Sequence, residues 1–202
     1  RLTLRLHKEV TMKTLKIGIV GGGGMGRVHY ANWKAIEDIE IVALCDNAPN
    51  APATAEEWGV PLYTSITEMV KNSGLNVVDI CTPTFLHHDM VMESLSLGVD
   101  TICEKPIALK LADAKEMLDT AKEKNLVVQL GYMYRYNPAV LACFEKIRKG
   151  ELGEIHSIHA EMSTLHPTDT RKWLTNFRGG GMYIFGSHLV DLIVYLLGEP
   201  KK

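Results

Sequence analysis

The segment that most constrains this chain is KIGIVGGGGMG, residues 16–26, followed at a distance by Asp46. Ile17, Ile19 and Val20 read as a short buried strand, and Met25 to Ile36 reads as the helix after it. Between them Gly21, Gly23 and Gly26 fit the spacing G-x-G-x-x-G. Each glycine meets a different steric demand: a tight turn at Gly21, approach of the backbone to a pyrophosphate at Gly23, and close helix-on-strand packing at Gly26. The helix start at Gly24 and Met25 then offers free N–H groups and a partial positive charge to phosphate oxygens. Four consecutive glycines make a chance match easier, and a merely flexible turn is the alternative. The position between strand and helix favours the dinucleotide reading. So does a second strand, Glu40 to Leu44, that runs into Cys45-Asp46 about 20 residues past the last glycine, where an acid can hold the ribose hydroxyls. Asp46 also favours NAD over NADP, because its carboxylate would repel a 2′-phosphate; a turn-capping role is compatible with this.

Composition removes several function classes. A net charge of −2 gives no reason to expect nucleic acid or an anionic membrane as partner. No apolar run is long enough to span a bilayer. The opening residues RLTLRLHKEVTM are basic but lack the apolar stretch of a signal peptide, and read as an upstream extension with Met12 as a candidate start. Cys45, Cys81, Cys103 and Cys143 show no C-x-x-C spacing. Three of them end expected strands, so they read as small buried hydrophobes rather than disulfides or metal ligands. A reducing, cytoplasmic setting is the expectation.

From Leu15 onward strand-like and helix-like segments alternate, which predicts a parallel sheet with crossover helices. Pro49 and Pro52 delay a helix expected over Thr54 to Trp58, and Val60 to Tyr63 reads as a third strand. Ser65-Ile66-Thr67-Glu68 has the form of a capped start for a helix reaching Asn72. VVDIC, residues 77–81, reads as a fully buried strand, broken by Thr82-Pro83-Thr84 and followed by a helix from His88 to Leu97. Asp100 to Cys103 is the next strand, and Glu104-Lys105-Pro106 follows it directly. Leu111 to Asn125 is amphipathic, with Leu111, Ala114, Met117, Leu118 and Ala121 on one side, and Leu126 to Leu130 is a sixth strand. The character changes near Gly131. Asn137 to Arg148 reads as a helix with Pro138 in its first turn, and Ile155 to Leu165 alternates as a strand with two different faces. A last helix spans about Ser187 to Leu197, ended by Gly198 and Pro200. The expected organisation is an extension over 1–14, a dinucleotide-binding domain over 15–131, and the start of a substrate domain over 132–202.

Five further stretches bring a resemblance into view: GGGGMGRVH at 21–29, CTPTFLH at 81–87, CEKP at 103–106, GYMYRYNP at 131–138, and GGG followed by GSHLVD between 179 and 191. Together they resemble the glucose-fructose oxidoreductase / inositol dehydrogenase / MocA family over nearly all of Leu15 to Pro200. The resemblance implies an α/β fold: an N-terminal Rossmann domain with a doubly wound parallel sheet, then an incomplete, truncated C-terminal α/β substrate domain. It implies an NAD(P)-dependent oxidoreductase that takes hydride from a secondary hydroxyl of a sugar, glycoside, sugar acid or cyclitol, and a full-length protein that is a homo-oligomer. Two departures stand out. Most strands of the family's second sheet are absent, and the acid usually found four residues before the motif histidine falls on Ile184.

Lys105 follows the carboxyl end of a strand, where ligands bind in open α/β sheets. Position alone leaves a surface lysine open; the resemblance implies catalysis, with burial lowering the amine's pKa. The resemblance places His188 at the substrate as proton shuttle or hydroxyl ligand and Asp191, three residues on, as its orienting partner or a substrate contact. Tyr134, Tyr183 or Asp191 are candidate substitutes for the missing acid. Thr82, Pro83 and His87 match a loop that lies along the cofactor, although His87 also fits a solvated helix start. Glu104 and Lys105 resemble residues at the nicotinamide end. Tyr134, Arg135, Asn137 and Trp173 would line the substrate side, Trp173 stacking on a sugar face or packing under its loop. His156, His159 and His166 do not form a recognised ligand set, so no metal is expected. Two other functions share these motifs: NAD-dependent glycoside cleavage, in which transient oxidation acidifies a neighbouring C–H, and a non-catalytic NAD-binding paralogue, suggested by Ile184.

Overall fold

The computed structural model describes residues 14–163, 165, 168–175 and 179–200, without the side chains of residues 169–171 and 173. The chain divides into two compact units, one running to Cys103 and including Ala108–Gln129, the other made of Glu104–Ile107 and Leu130–Lys202.

The first unit is built on β1 (Leu15–Val20), α1 (Gly24–Lys34), β2 (Ile39–Cys45), α2 (Ala51–Trp58), β3 (Leu62–Tyr63), α3 (Ile66–Ser73), β4 (Val77–Ile80), α4 (His87–Ser96), β5 (Asp100–Cys103) and α5 (Leu111–Glu123). With β6 (Val128–Leu130) the strands form a six-stranded sheet in the order β3-β2-β1-β4-β5-β6. Strands β1 to β5 pair in parallel. Chain order therefore reverses between β1 and β4, the kind of switch point at which open α/β sheets bind ligands. Ile17, Ile19, Leu44 and Val77 from the strands pack with Ala55 and Trp58 of α2, and Trp58 stacks on Tyr30 of α1 at 4.3 Å between ring centres.

Local chemistry places the helix ends. Ser65 caps α3 by accepting the Glu68 N–H at 3.4 Å. Gly59 and Gly74 end α2 and α3 in the left-handed conformation. Asn50 precedes α2, which starts three residues before the expected Thr54 because Pro52 sits in its first turn, where a missing N–H costs nothing. The apolar side expected for α5 is narrower than its sequence: Met117 and Ala121 are buried, but Leu111 and Leu118 are exposed. Cys45 and Cys103 are buried, Cys81 partly so, and Cys143 exposed, all as free thiols. Burial pushes the Cys45 thiol up to about 12, which keeps it inert.

The second unit holds α6 (Pro138–Arg148), α7 (Thr168–Thr175) and α8 (Ser187–Leu197), the last entered through a π-helical turn over Met182–Gly186. The strand expected over 155–165 does not form: residues 155–163 carry no regular structure. Alternation describes which faces a strand would present, but a strand exists only when neighbouring backbone pairs with it, and no described segment does so here. Among the described residues no helix is long and apolar enough to cross a membrane.

Gly26 is the tightest packing point of the first unit, since a β-carbon there would stand 1.9 Å from the Gly21 carbonyl oxygen. Gly26→Ala is expected to push α1 off β1 at a cost of about 1–3 kcal/mol, read as a drop in melting temperature. An unchanged melt would mean that the helix start yields freely.

Candidate functional site

The dinucleotide cradle lies in the first unit. Gly21 adopts φ +95, a conformation that favours glycine, and its N–H donates to the Cys45 carbonyl at 2.9 Å. Gly22 donates its N–H to Asp46 Oδ2 at 2.7 Å, and Asp46 Oδ1 accepts the Ala48 N–H at 2.8 Å. The predicted ribose acid thus also ties the end of β2 to the glycine turn, and its turn-capping role is realised. Gly23 precedes α1 with no side chain capping the helix and open space where its β-carbon would project. Gly24 and Met25 are exposed at that helix start. The uncapped N–H groups, the open approach at Gly23 and the acid at Asp46 fit a pyrophosphate with its adjoining ribose.

A crevice of about 350 Å³ continues from this turn, lined by Asp46, Asn47, Thr64, Thr82, Pro83, Leu86 and Met90 among others. Asn47, Thr64, Leu86 and Met90 escape the sequence reading, because only the sheet order brings the ends of β2, β3 and β4 together. His87 needs correction. Its ring is fully buried, and Nε2 lies 2.9 Å from the Thr82 carbonyl. It is neither a solvated helix start nor an exposed cofactor contact; it holds the backbone of Thr82, which lines the crevice. Arg27, next to the glycine turn, is occupied by Glu57 at 2.8 Å and Thr54 at 3.0 Å.

The second unit gathers a different chemistry. The Lys105–Pro106 peptide is cis. Lys105 Nζ donates to the Ile184 carbonyl at 2.8 Å and lies 5.7 Å from the Phe185 ring centre. Burial pulls the Lys105 pKa below its ordinary value, against the smaller opposing pull of Glu104. Glu104 is itself buried, and its carboxylate sits where a β-carbon on Gly131 would project, 2.7 Å away. Ile184 is buried in the π-helical turn, one helical turn before His188.

His188 is 5% exposed, with Tyr134 and Tyr132 meeting its ring edge-on at 5.0 and 5.8 Å. Its Nδ1 is buried with no hydrogen-bond partner among the described residues. Burial first, and the Lys105 charge second, hold its pKa below 6.5. Tyr132 escapes the sequence reading although it stands in GYMYRYNP, since nothing in the motif's spacing separates it from Tyr134.

Three expected substrate contacts are engaged elsewhere. Asp191 does not orient His188 by a hydrogen bond; it takes Arg135 in a bidentate pair at 2.8 and 2.5 Å. Arg135 lies over the Tyr195 ring at 4.7 Å, and Arg148 lies over the same ring at 5.2 Å. The Asn137 side chain caps α6, accepting the Ala139 and Val140 N–H groups at 3.0 and 3.3 Å. Tyr183 is exposed in the π-helical turn. Trp173 lies on α7, with its side chain outside the described residues. His156 and His159 are exposed, and His166 lies outside the described residues.

Two family models match along the chain. Residues 15–132 match a family model described as an oxidoreductase family with an NAD-binding Rossmann fold, and residues 140–202 match a GFO/IDH/MocA C-terminal domain. D-apiose dehydrogenase of Paraburkholderia graminis is 33% identical over 95% of this chain and 52% of its own. D-glucoside 3-dehydrogenase of Escherichia coli is 31% identical over 96% of this chain and 57% of its own. Among solved structures, scyllo-inositol dehydrogenase of Lactobacillus casei with bound NAD(H) and scyllo-inositol superposes with a TM-score of 0.79 at 26% identity, covering 92% of this chain and 57% of that one. The chain spans a little over half the length of these relatives.

The lowered His188 pKa has a testable sign. The unfolded imidazole takes up a proton near 6.5 and the folded one at lower pH, so the unfolded state holds more protons in that window. Stability is then lost as pH falls through it. His188→Gln is expected to flatten the acid side of a melting-temperature profile below pH 6.5; an equally steep profile would place the acid sensitivity elsewhere.

Proposed function

The chain belongs to the GFO/IDH/MocA oxidoreductase family, and from that premise we propose that the whole protein transfers hydride from a secondary hydroxyl of a sugar, glycoside, sugar acid or cyclitol to NAD. The observation that carries this reading is the half-buried Lys105 amine, held by a backbone carbonyl one helical turn before a buried His188 whose Nδ1 is open.

NAD, when bound, supplies the hydride acceptor. The turn of Gly21 to Gly26 and Asp46 hold it, with Asp46 selecting NAD over NADP by repelling a 2′-phosphate. Alcohol oxidation also needs a group that takes the hydroxyl proton. A neutral lysine amine has two N–H bonds and one lone pair. Donating one N–H to the Ile184 carbonyl leaves the lone pair as the amine's only acceptor site, available to the hydroxyl. Burial raises the neutral fraction of Lys105 at a given pH. An aspartate at 184 would do the reverse, because a neighbouring carboxylate stabilises the ammonium form. His188, kept neutral by its surroundings, can accept from or donate to the same hydroxyl. Tyr132 and Tyr134 fix its ring plane.

Binding can be tested on this chain. NAD at about a hundred times its Kd should stabilise the fold by about 2.7 kcal/mol, whereas NADP should shift the melt less; equal shifts would remove the role given to Asp46. For turnover, a panel of sugars and cyclitols is assayed by NADH formation with the complete enzyme. Lys105→Ala should lower kcat by about 10²–10⁴-fold. Ile184→Asp should move the acid limb of the kcat/KM profile to higher pH, since the base would hold its proton longer. Full activity in Lys105→Ala would sink the assignment.

A further inference from the structure

Asp79 is a carboxylate in a place built for hydrocarbon. It lies in β4 between Ile19 of β1 and Ile102 of β5 in the sheet register, and none of it is exposed. Its strand neighbours Val77, Val78 and Ile80 are buried and apolar. Such a group is kept only when it is fully partnered, and a hydrophobic residue of similar size would serve stability as well. The partners it has are informative. Trp33 Nε1 donates to Asp79 Oδ2 at 2.6 Å, and His29 Nδ1 lies 2.9 Å from the same oxygen and 3.1 Å from Oδ1. The Cys81 thiol, two residues along the same strand face, donates to Oδ1 at 3.7 Å. His29 and Trp33 are four residues apart on α1 and so share one helix face.

We infer that Asp79 is a positioning residue for the dinucleotide: through Trp33 and His29 it fixes where α1 stands on the sheet, and so where the N–H groups at the start of that helix meet a pyrophosphate. This rests on the dinucleotide-binding reading of the glycine turn. Gly26, pressed on Gly21, pins one end of α1. Trp33 is seven residues further on, about 10 Å along the helix axis. A helix held at two points that far apart can neither slide nor pivot. One contact alone would leave the phosphate-facing end free to tilt about Gly26. Cys81 extends the same network toward the crevice, whose wall it forms together with Thr82. His29, Asp79 and Cys81 place their ligand atoms within 4.8 Å of one another. Those separations are accounted for by hydrogen bonds among the three side chains, with the indole of Trp33 as a further donor.

The test compares two probes on the full chain: ADP-ribose, which carries the pyrophosphate, and adenosine, which does not. Each is titrated by calorimetry or ligand-observed NMR. Asp79→Asn should weaken ADP-ribose by about tenfold, the cost of misaligning charge-assisted hydrogen bonds to phosphate, and leave adenosine affinity unchanged. Trp33→Phe keeps an aromatic ring but removes the N–H together with the five-membered part of the indole, and should act in the same direction if Asp79→Asn does not fold. The His29→Gln and Asp79→Asn effects should be non-additive, because they break one pair. Equal losses for both probes would mean a general loosening and would overturn the inference. So would unchanged ADP-ribose affinity in a folded Trp33→Phe or Asp79→Asn protein. Tight stoichiometric zinc binding abolished by Asp79→Asn would also overturn it, by giving these donors another purpose. If the unsubstituted chain binds no ADP-ribose, the dinucleotide reading itself fails and this inference falls with it; binding that is merely insensitive to Asp79 removes this inference alone.

Discussion

The contact between Gly26 and Gly21 sets the geometry on which the first unit depends. The carbonyl oxygen of Gly21 occupies the space that any β-carbon at residue 26 would need. Helix α1 can therefore lie closer to β1 than an ordinary helix on an ordinary strand. That closeness puts the uncapped helix start directly past the strand end. The turn between them is then short enough for Gly22 to reach Asp46 on the neighbouring strand's end. A carboxylate oxygen has two lone-pair directions, so accepting one backbone N–H each leaves Asp46 capacity for ribose hydroxyls. The same residue thus shapes the turn and retains the means to bind a ligand.

Much of the first unit was legible because its signals are local. Strand and helix periods, the capping Ser65 and the stopping glycines 59 and 74 each act within a few residues of where they are written. What could not be read depends on distant partners. The alternation over 155–165 encodes two faces, but pairing is decided by other strands. Asp191 and Asn137 are polar residues in a resembling motif, and both could contact substrate on sequence grounds alone. Which donor each serves is settled by Arg135 from outside α8 in one case and by the free N–H groups of a helix start in the other. His87 shows the same limit. A histidine beside a second histidine looks solvated, yet the first residue of a helix that covers a parallel sheet is buried when it faces inward. Asp79 hid inside a run of apolar neighbours, where its very presence implied a partner that the sequence alone could not name.

On the proposed reading, the second unit keeps a base without the family's usual carboxylate at 184. In the family's usual arrangement an acid stands four residues before the histidine, and here that place is filled by buried Ile184. The side chain at 184 offers no proton chemistry, but the main chain of Ile184 presents a carbonyl. Its carbonyl accepts the lysine N–H at 2.8 Å. The π-helical turn bears on this: winding wider than an α-helix leaves carbonyls less committed to the ladder, and such turns recur at functional sites. A carbonyl dipole orients an amine much as a carboxylate would, yet stabilises its charge far less, because it carries no net charge of its own. Orientation and charge stabilisation, which an aspartate supplies together, are thereby separated. Lys105 keeps the first and loses most of the second, and burial then works in one direction, toward the neutral amine. The Arg135–Asp191 pair sharpens the contrast, since the nearby acid is already satisfied by a guanidinium and is not offered to Lys105 or His188 as a hydrogen-bond partner. On the proposed reading, the loss of the acid is therefore a shift in the pH at which Lys105 would be a free base rather than the removal of a base.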